Sequence, residues 1–123
     1  MYTLDTNVIL YYLRGDASVV SLVDQALAQS GALYVSSISV GELFIFSKLT
    51  VVEEAGIRKF LTLCSVISVD GLLADRAGTI GRTHKVELAD SVIAATALFT
   101  GSTLLTRNTR DFRRVPSLSL QKI

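Results

Sequence analysis

The N-terminal stretch YTLDTNVILYYLRG, residues 2–15, indicates the type of fold. Its first three residues have the β-favouring character of a short strand, which runs directly into Asp5. The apolar residues then take a helical spacing from Asn7 to Arg14, and Gly15 is placed to end that helix. A strand followed at once by a helix is the beginning of a unit in which helices connect parallel strands.

The same alternation continues along the rest of the chain. Further strands are predicted at 33–35, 66–69, 103–105 and 118–120, and further helices at 18–29, 38–49, 51–63, 72–83 and 88–100. The helix at 38–49 is apolar nearly all round, which predicts that it is buried. Helices between strands predict a mostly parallel sheet covered on both faces, a three-layer α/β/α architecture. The 123 residues contain no repeat or linker, so we expect a single domain, 1–123.

The composition excludes several classes of site. Half of the residues are apolar and 19% are charged, as in a folded globular domain. The only cysteine, Cys64, lies in an apolar run and is expected in the core, and the only histidine, His84, lies near a helix end. These counts exclude a disulfide framework and metal sites built from several cysteines or histidines. Any metal ion would therefore be held mainly by carboxylates, which suit hard cations.

The chain carries no signal-peptide pattern and no apolar stretch long enough to cross a membrane, so we expect a cytoplasmic protein. Its net charge is +1, but the charge is unevenly distributed. From Thr103 onward there are five basic residues against one acidic residue, Asp111. This basic end favours a polyanionic partner, which would be contacted by Arg107, Arg110, Arg113 and Arg114. The alternative is that these arginines form an ordinary solvated edge.

Four acidic side chains are candidates for a carboxylate site. Asp5 ends the first predicted strand, and Asp111 follows the fourth by a few residues. Glu42 and Asp90 lie in the first turns of predicted helices. Each has an ordinary structural explanation, because Asp5 and Asp90 can cap helices, Ser39 and Glu42 fit a capping box, and Asp111 fits a turn. However, ligands of open α/β sheets bind beyond the carboxyl ends of the strands, where these side chains would meet. Glu42 also lies among apolar residues, which predicts partial burial. Carboxylates that converge repel one another, and a shared cation removes that repulsion.

Four blocks of the sequence, taken together, resemble the signature of PIN-domain ribonucleases. They are Leu4-Asp5-Thr6-Asn7, Ser39-x-x-Glu42-Leu43, Asp90-Ser91-x-Ile93-Ala94-Ala95-Thr96-Ala97 and Leu105-Thr106-Arg107-Asn108-x-x-Asp111-Phe112. The blocks occur in the family's order and extend over the whole chain. The length of the chain is similar to that of VapC-type toxins, which belong to toxin–antitoxin pairs.

This resemblance implies a PIN-like α/β/α fold and Mg²⁺- or Mn²⁺-dependent endoribonuclease activity on RNA. It assigns catalytic and metal-binding roles to Asp5, Glu42, Asp90 and Asp111, and supporting roles to Thr6, Thr106 and Asn108. The fourth acidic position is filled by Asp111 or shared with Asn108. The resemblance further implies a small antitoxin as partner and a homodimer.

The sequence contains no nucleophile elbow and no glycine-rich phosphate loop, so we expect water to attack the phosphodiester. A metal ion held by Asp5 and Asp90 would assist that attack. Two alternatives remain open. An inactive PIN-like binding module would normally have lost one or more carboxylates. An aspartyl phosphotransferase would use Asp5 as its nucleophile, but it would carry a second aspartate where Asn7 stands.

Overall fold

The structure is a computed structural model that describes residues 1–29 and 31–123. Its strands are β1 (Tyr2–Leu4), β2 (Leu33–Ser36), β3 (Ser65–Ile67), β4 (Thr103–Thr106) and β5 (Leu120–Lys122). Its helices are α1 (Thr6–Leu13), α2 (Ala17–Ala28), α3 (Ser37–Phe44), α4 (Val51–Leu61), α5 (Gly71–His84), α6 (Leu88–Thr100) and α7 (Thr109–Phe112).

The strands form one parallel sheet in the order β3-β2-β1-β4-β5. The first strand is therefore central, and the chain extends the sheet first on one side of it and then on the other. Leu4 at the end of β1 lies opposite Leu105 of β4, so Asp5 and Thr106 follow side by side. Asp5 thus occupies the switch point of the topology, which is where open parallel sheets bind their ligands.

Helices cover both faces of the sheet, as predicted. Leu105 lies in a buried cluster with residues of α1, α2 and α4, whereas the adjacent Leu104 lies in a second cluster with residues of α6 and α7. Both leucines are fully buried. Because successive residues of a strand face opposite sides of the sheet, these two clusters are the two cores of a three-layer α/β/α fold.

Most predicted elements are confirmed, and the helix at 88–100 has the predicted bounds, with Gly101 at a φ of 64° after it. The prediction of a long buried helix at 38–49 is wrong. Helix α3 ends at Phe44, and Ile45 and Phe46 are 82% and 60% exposed, because only one face of α3 packs against the rest of the protein. The last strand lies two residues later than predicted, and the short helix α7 was not predicted. Among the described residues, no helix has the length and apolarity to cross a membrane.

Candidate active site

A cleft of about 600 Å³ opens at the carboxyl end of β1 and β4. It is lined by five of the residues singled out in the sequence, Asp5, Thr6, Glu42, Asp90 and Asn108, and we call it the carboxylate cleft. A second cavity of about 250 Å³ shares Asp90 with the cleft and is lined by Asp111 and Arg114 as well. Side chains from β1, α1, α3, α6 and the β4–α7 connection thus meet at one edge of the sheet.

Asp5 is held in place across the sheet rather than used as a helix cap. It precedes α1 in an extended conformation, but its side chain makes no capping hydrogen bond. Its Oδ2 instead accepts a hydrogen bond of 2.7 Å from the Thr106 hydroxyl. Burial raises the pKa of Asp5, the Thr106 hydroxyl and the Thr6 backbone N–H lower it, and Glu42 raises it; the net direction is upward. The capping explanation is therefore wrong for this side chain.

Glu42 is oriented by a hydroxyl of the neighbouring helix. Its Oε1 accepts a hydrogen bond of 2.7 Å from Thr6, and the Thr6 hydroxyl also lies 2.8 Å from Ser39 Oγ. The predicted capping box of Ser39 and Glu42 is wrong, because Ser36 caps α3 by accepting from the backbone of Ile38. The predicted partial burial of Glu42 is also wrong: the residue is exposed at the rim, while Ser39 is fully buried beneath it.

Asp90 is the side chain of the cleft whose pKa is shifted most. It is the third residue of α6, behind the N-cap Glu87, so it does not cap the helix and that explanation is wrong as well. Burial, followed by the charges of Asp5, Asp111, Glu42 and Glu87, raises its pKa to about 6. A position in the first turn of a helix favours the charged carboxylate. Burial and the like charges therefore outweigh the helix dipole.

Asn108 and Asp111 act as one unit at the start of α7. The Asn108 backbone N–H donates to Thr106 Oγ1 at 2.9 Å, and its Nδ2 donates to Asp111 Oδ2 at 3.1 Å. Asn108 lines the carboxylate cleft, whereas Asp111 lines the adjoining cavity. Thr106 thereby connects Asp5 to the residues that follow β4.

The arginines of the C-terminal segment fall into two groups. All four are exposed, and Arg110 and Arg113 lie on α7 and just after it. Arg107 instead donates from Nη2 to Asp16 Oδ2 at 2.7 Å, and its guanidinium lies 4.3 Å from the centre of the Tyr11 ring. Arg114 donates from Nη1 to the backbone oxygen of Lys85 at 2.8 Å. Two of the four predicted RNA contacts are thus already engaged within the protein.

The donor set fits a hydrated hard cation. Within residues 1–29 and 31–123, no three acidic, histidine or cysteine side chains are grouped closely enough to hold a metal ion directly. The charges of Asp5 and Asp90 nevertheless act on each other within the cleft. Mg²⁺ keeps several water ligands and commonly binds one or two carboxylates directly. The side chains therefore suit an ion bound by two carboxylates and water, and not a complete protein cage.

Two residues at the cleft were not predicted to be functional. Asn7 lines both the carboxylate cleft and a further cavity next to it, and Ser39 supports the Thr6–Glu42 pair from below. Both belong to the sequence blocks quoted above. The signal for Ser39 was its position three residues before Glu42, which places both on one face of α3. The capping box accounted for that spacing equally well.

The chain resembles known proteins over nearly its full length. Residues 2–118 match the PIN domain family. The protein named Ribonuclease VapC2 of Haemophilus influenzae is 32% identical over an alignment of 130 residues, which covers 95% of this chain and 93% of that protein. A chain in a toxin–antitoxin complex from Klebsiella pneumoniae is 26% identical, with a TM-score of 0.80 and full coverage of both chains.

A chain of VapBC2 from Rickettsia felis, in a crystal structure bound to a promoter DNA fragment, has the same fold. Its TM-score is 0.83 at 21% identity, and the match covers 98% of this chain and 97% of that one. The family match covers more than half of the chain, and the relative from H. influenzae agrees with it. This chain therefore belongs to the PIN-domain family, among its VapC-like members.

Proposed function

We propose that this protein is an Mg²⁺- or Mn²⁺-dependent endoribonuclease that hydrolyses RNA phosphodiesters as the toxin of a toxin–antitoxin pair. The observation that carries the proposal is the carboxylate cleft, in which Asp5, Glu42 and Asp90 line one space at the carboxyl end of β1 and β4. Burial, followed by the charges of Asp5, Asp111 and Glu42, raises the pKa of Asp90 to about 6, as expected for carboxylates that lie close together. Three carboxylates that line one cleft, with Asp111 in the adjoining cavity, repel a phosphodiester unless a cation joins them. The similarity to a protein named Ribonuclease VapC2 supports RNA as the substrate.

In this proposal Asp5 and Asp90 would hold the ion, and Glu42 and Asp111 would support it. When bound, a divalent ion supplies Lewis-acid stabilisation of the charge that develops on the phosphate. The protein sets the positions of the carboxylates in advance. Thr106 fixes Asp5 from the neighbouring strand, and Thr6 fixes Glu42 from the neighbouring helix. Such hydrogen bonds reduce the reorganisation that the side chains need when substrate binds.

Water is the proposed nucleophile. The Thr6 hydroxyl lines the cleft, but it is engaged with Glu42 and Ser39. Burial raises the pKa of the Cys64 thiol to about 11, so this group stays protonated, and Cys64 packs against the core formed by α1, α2 and α4. Glu42 is exposed and oriented, which suits it to position the attacking water and accept its proton. Asp5 is buried and hydrogen-bonded, which disfavours the alternative in which it attacks phosphorus.

Cleavage of single-stranded RNA with and without a chelator tests this proposal. With Mg²⁺ or Mn²⁺ the purified protein is expected to cut RNA internally, and EDTA is expected to stop it. Asp90→Asn should lower the rate about 100-fold or more, because an amide is a poor ligand for a hard cation. The exposed Asp75→Asn on α5 is the matched control and should keep the wild-type rate. Undiminished cleavage in EDTA would refute the metal mechanism.

We also propose a small antitoxin as partner, because several structural neighbours come from toxin–antitoxin complexes. A groove of about 280 Å³ lies between α1 and α4 and is lined by Leu10, Leu13, Leu49, Val52 and Ile57. Leu10 belongs to this α1–α4 groove and to the carboxylate cleft. A partner segment bound in the groove would therefore end beside the site and could close it. A second copy of the chain is the other proposed partner.

A further inference from the structure

Arg107 borders the site and, although exposed, is held by several contacts within the protein. Its Nη2 donates to Asp16 Oδ2 at 2.7 Å, and its Nε donates to the backbone oxygen of Ile123 at 3.1 Å. Its guanidinium carbon lies 4.3 Å from the centre of the Tyr11 ring. Contacts from α1, from the N-cap of α2 and from the last residue of the chain thus fix the plane of one guanidinium.

An open space lies beside Arg107 and Tyr11. A cavity of about 220 Å³ is lined by Asp5, Asn7, Tyr11, Arg107 and Asn108. Asp5, Asn7 and Asn108 also line the carboxylate cleft, so the two spaces adjoin at the residues proposed to handle the phosphate. A group bound in the smaller cavity therefore lies next to the phosphate that is proposed to react in the carboxylate cleft.

The chemistry of this cavity favours a flat ring over a phosphate. The charge of Arg107 is offset by Asp16, which accepts its hydrogen bond at 2.7 Å, and that bond is the main cause that lowers the pKa of Asp16. An ion-paired guanidinium adds little attraction for a phosphate, and Asp5 repels one. Arg107 and Tyr11 both line the cavity, and unpaired RNA bases stack on arginine planes and on aromatic rings.

We propose that Arg107 and Tyr11 form a stacking platform for one unpaired nucleobase of the RNA substrate, next to the phosphate at the carboxylate cleft. This inference rests on the proposed function and specifies its substrate as a single strand or loop, because a base in a duplex is not free to stack on protein. Arg107 is thus a positioning residue that orients the strand through a base.

The platform is tested by measuring the affinity of the wild type and of variants for RNA strands that lack one base. The probe is an oligoadenylate of about ten nucleotides in which one abasic position is moved along the strand, with Ca²⁺ in place of Mg²⁺ so that the carboxylates are neutralised while cleavage is suppressed. For the wild type, the abasic change should weaken binding about 5- to 150-fold at one position. Arg107→Lys keeps the charge and loses the plane, so it should bind the intact strand that much more weakly and no longer respond to the abasic position.

Arg58→Lys is the matched control. Arg58 also pairs with a carboxylate, Glu54 at 2.8 Å, and also lies over a ring, that of Phe44 at 4.6 Å, but it lines neither cavity of the site. It should keep the wild-type response. Tyr11→Leu removes the other half of the platform and gives a second, independent measurement if Arg107→Lys unfolds.

The possible results separate this inference from the proposed function. If Arg107→Lys and Tyr11→Leu weaken binding but keep the wild-type response to the abasic position, the platform is rejected. If the wild type responds at no position, it is rejected as well. Intact binding with the expected response but no metal-dependent cleavage would reject the ribonuclease mechanism alone. Absence of any RNA binding would reject both.

Discussion

Burial and the neighbouring negative charges together raise the pKa of Asp90. Its carboxyl has a pKa of about 6 in the folded protein against 3.8 for an ordinary aspartate, because of burial first and then the charges of Asp5, Asp111 and Glu42. Between these two pH values the folded state binds more protons than the unfolded state. The free energy of unfolding therefore falls as the pH rises from about 4 to about 6, and the loss persists at higher pH.

Asp90→Asn should remove this dependence. Without metal above about pH 6, the variant should melt at the same temperature as the wild type or higher, because the repelled charge is gone. Mn²⁺ should raise the melting temperature of the wild type in a concentration-dependent way, and most of that gain should be lost in the variant. Melting curves at several pH values, in EDTA and in increasing Mn²⁺, measure both effects. Asp75→Asn is the control, and equal metal-induced shifts in all three proteins would exclude a cation at Asp90.

Among the elements, helix α7 and the residues on either side of it carry the four arginines that were predicted to contact RNA. All four are exposed, but Arg107 and Arg114 already have hydrogen-bond partners in the protein. Replacing Arg110 and Arg113 by Ala should therefore weaken RNA binding and reduce the slope of log affinity against log salt by about 1.4 if both contact phosphates of a single strand. Affinity measured from low to moderate salt gives the slope. Lys59 and Arg76, exposed on α4 and α5, are the paired control, and an unchanged slope would make α7 a merely solvated edge.

The elements also show what the sequence can and cannot predict. Helix α6 was predicted with its bounds, since an Ala-rich run followed by Gly101 contains both the helix and its end. Helix α3 was not, because an apolar run does not reveal where its packing partner stops, and Ile45 and Phe46 continue past it into solvent.

Asp5 and Asp111 were expected at the carboxyl edge of the sheet because they follow strands, whereas Glu42 and Asp90 lie on helices α3 and α6. The Thr106–Asp5 hydrogen bond spans 101 positions and depends on strand register, which no local pattern contains.

On the scale of the whole molecule, the proposed function needs a substrate cleft, a surface for the antitoxin and a surface for a second copy of the chain. The carboxylate cleft lies at the carboxyl end of β1 and β4, and the α1–α4 groove begins beside it at Leu10. A different exposed apolar area lies on α5 and α6, where Leu72 and Phe99 are 59% and 58% exposed and line one small cavity. Separate apolar surfaces of this kind are typical of interaction sites. A toxin that dimerises and is also inhibited by a partner needs two of them.

Substitution of one residue on each surface tests this division. Val52 in the α1–α4 groove is 81% exposed, so Val52→Glu should change the free energy of unfolding by no more than about 0.5 kcal/mol. It should nevertheless abolish co-purification with the protein encoded by the neighbouring gene, and that protein should no longer inhibit RNA cleavage, because a buried unpaired charge opposes docking. Leu72→Glu should instead give a monomer by light scattering and keep antitoxin binding. If Val52→Glu is still inhibited, the antitoxin does not use this groove, and a wild type that is already monomeric would remove the dimer from the proposal.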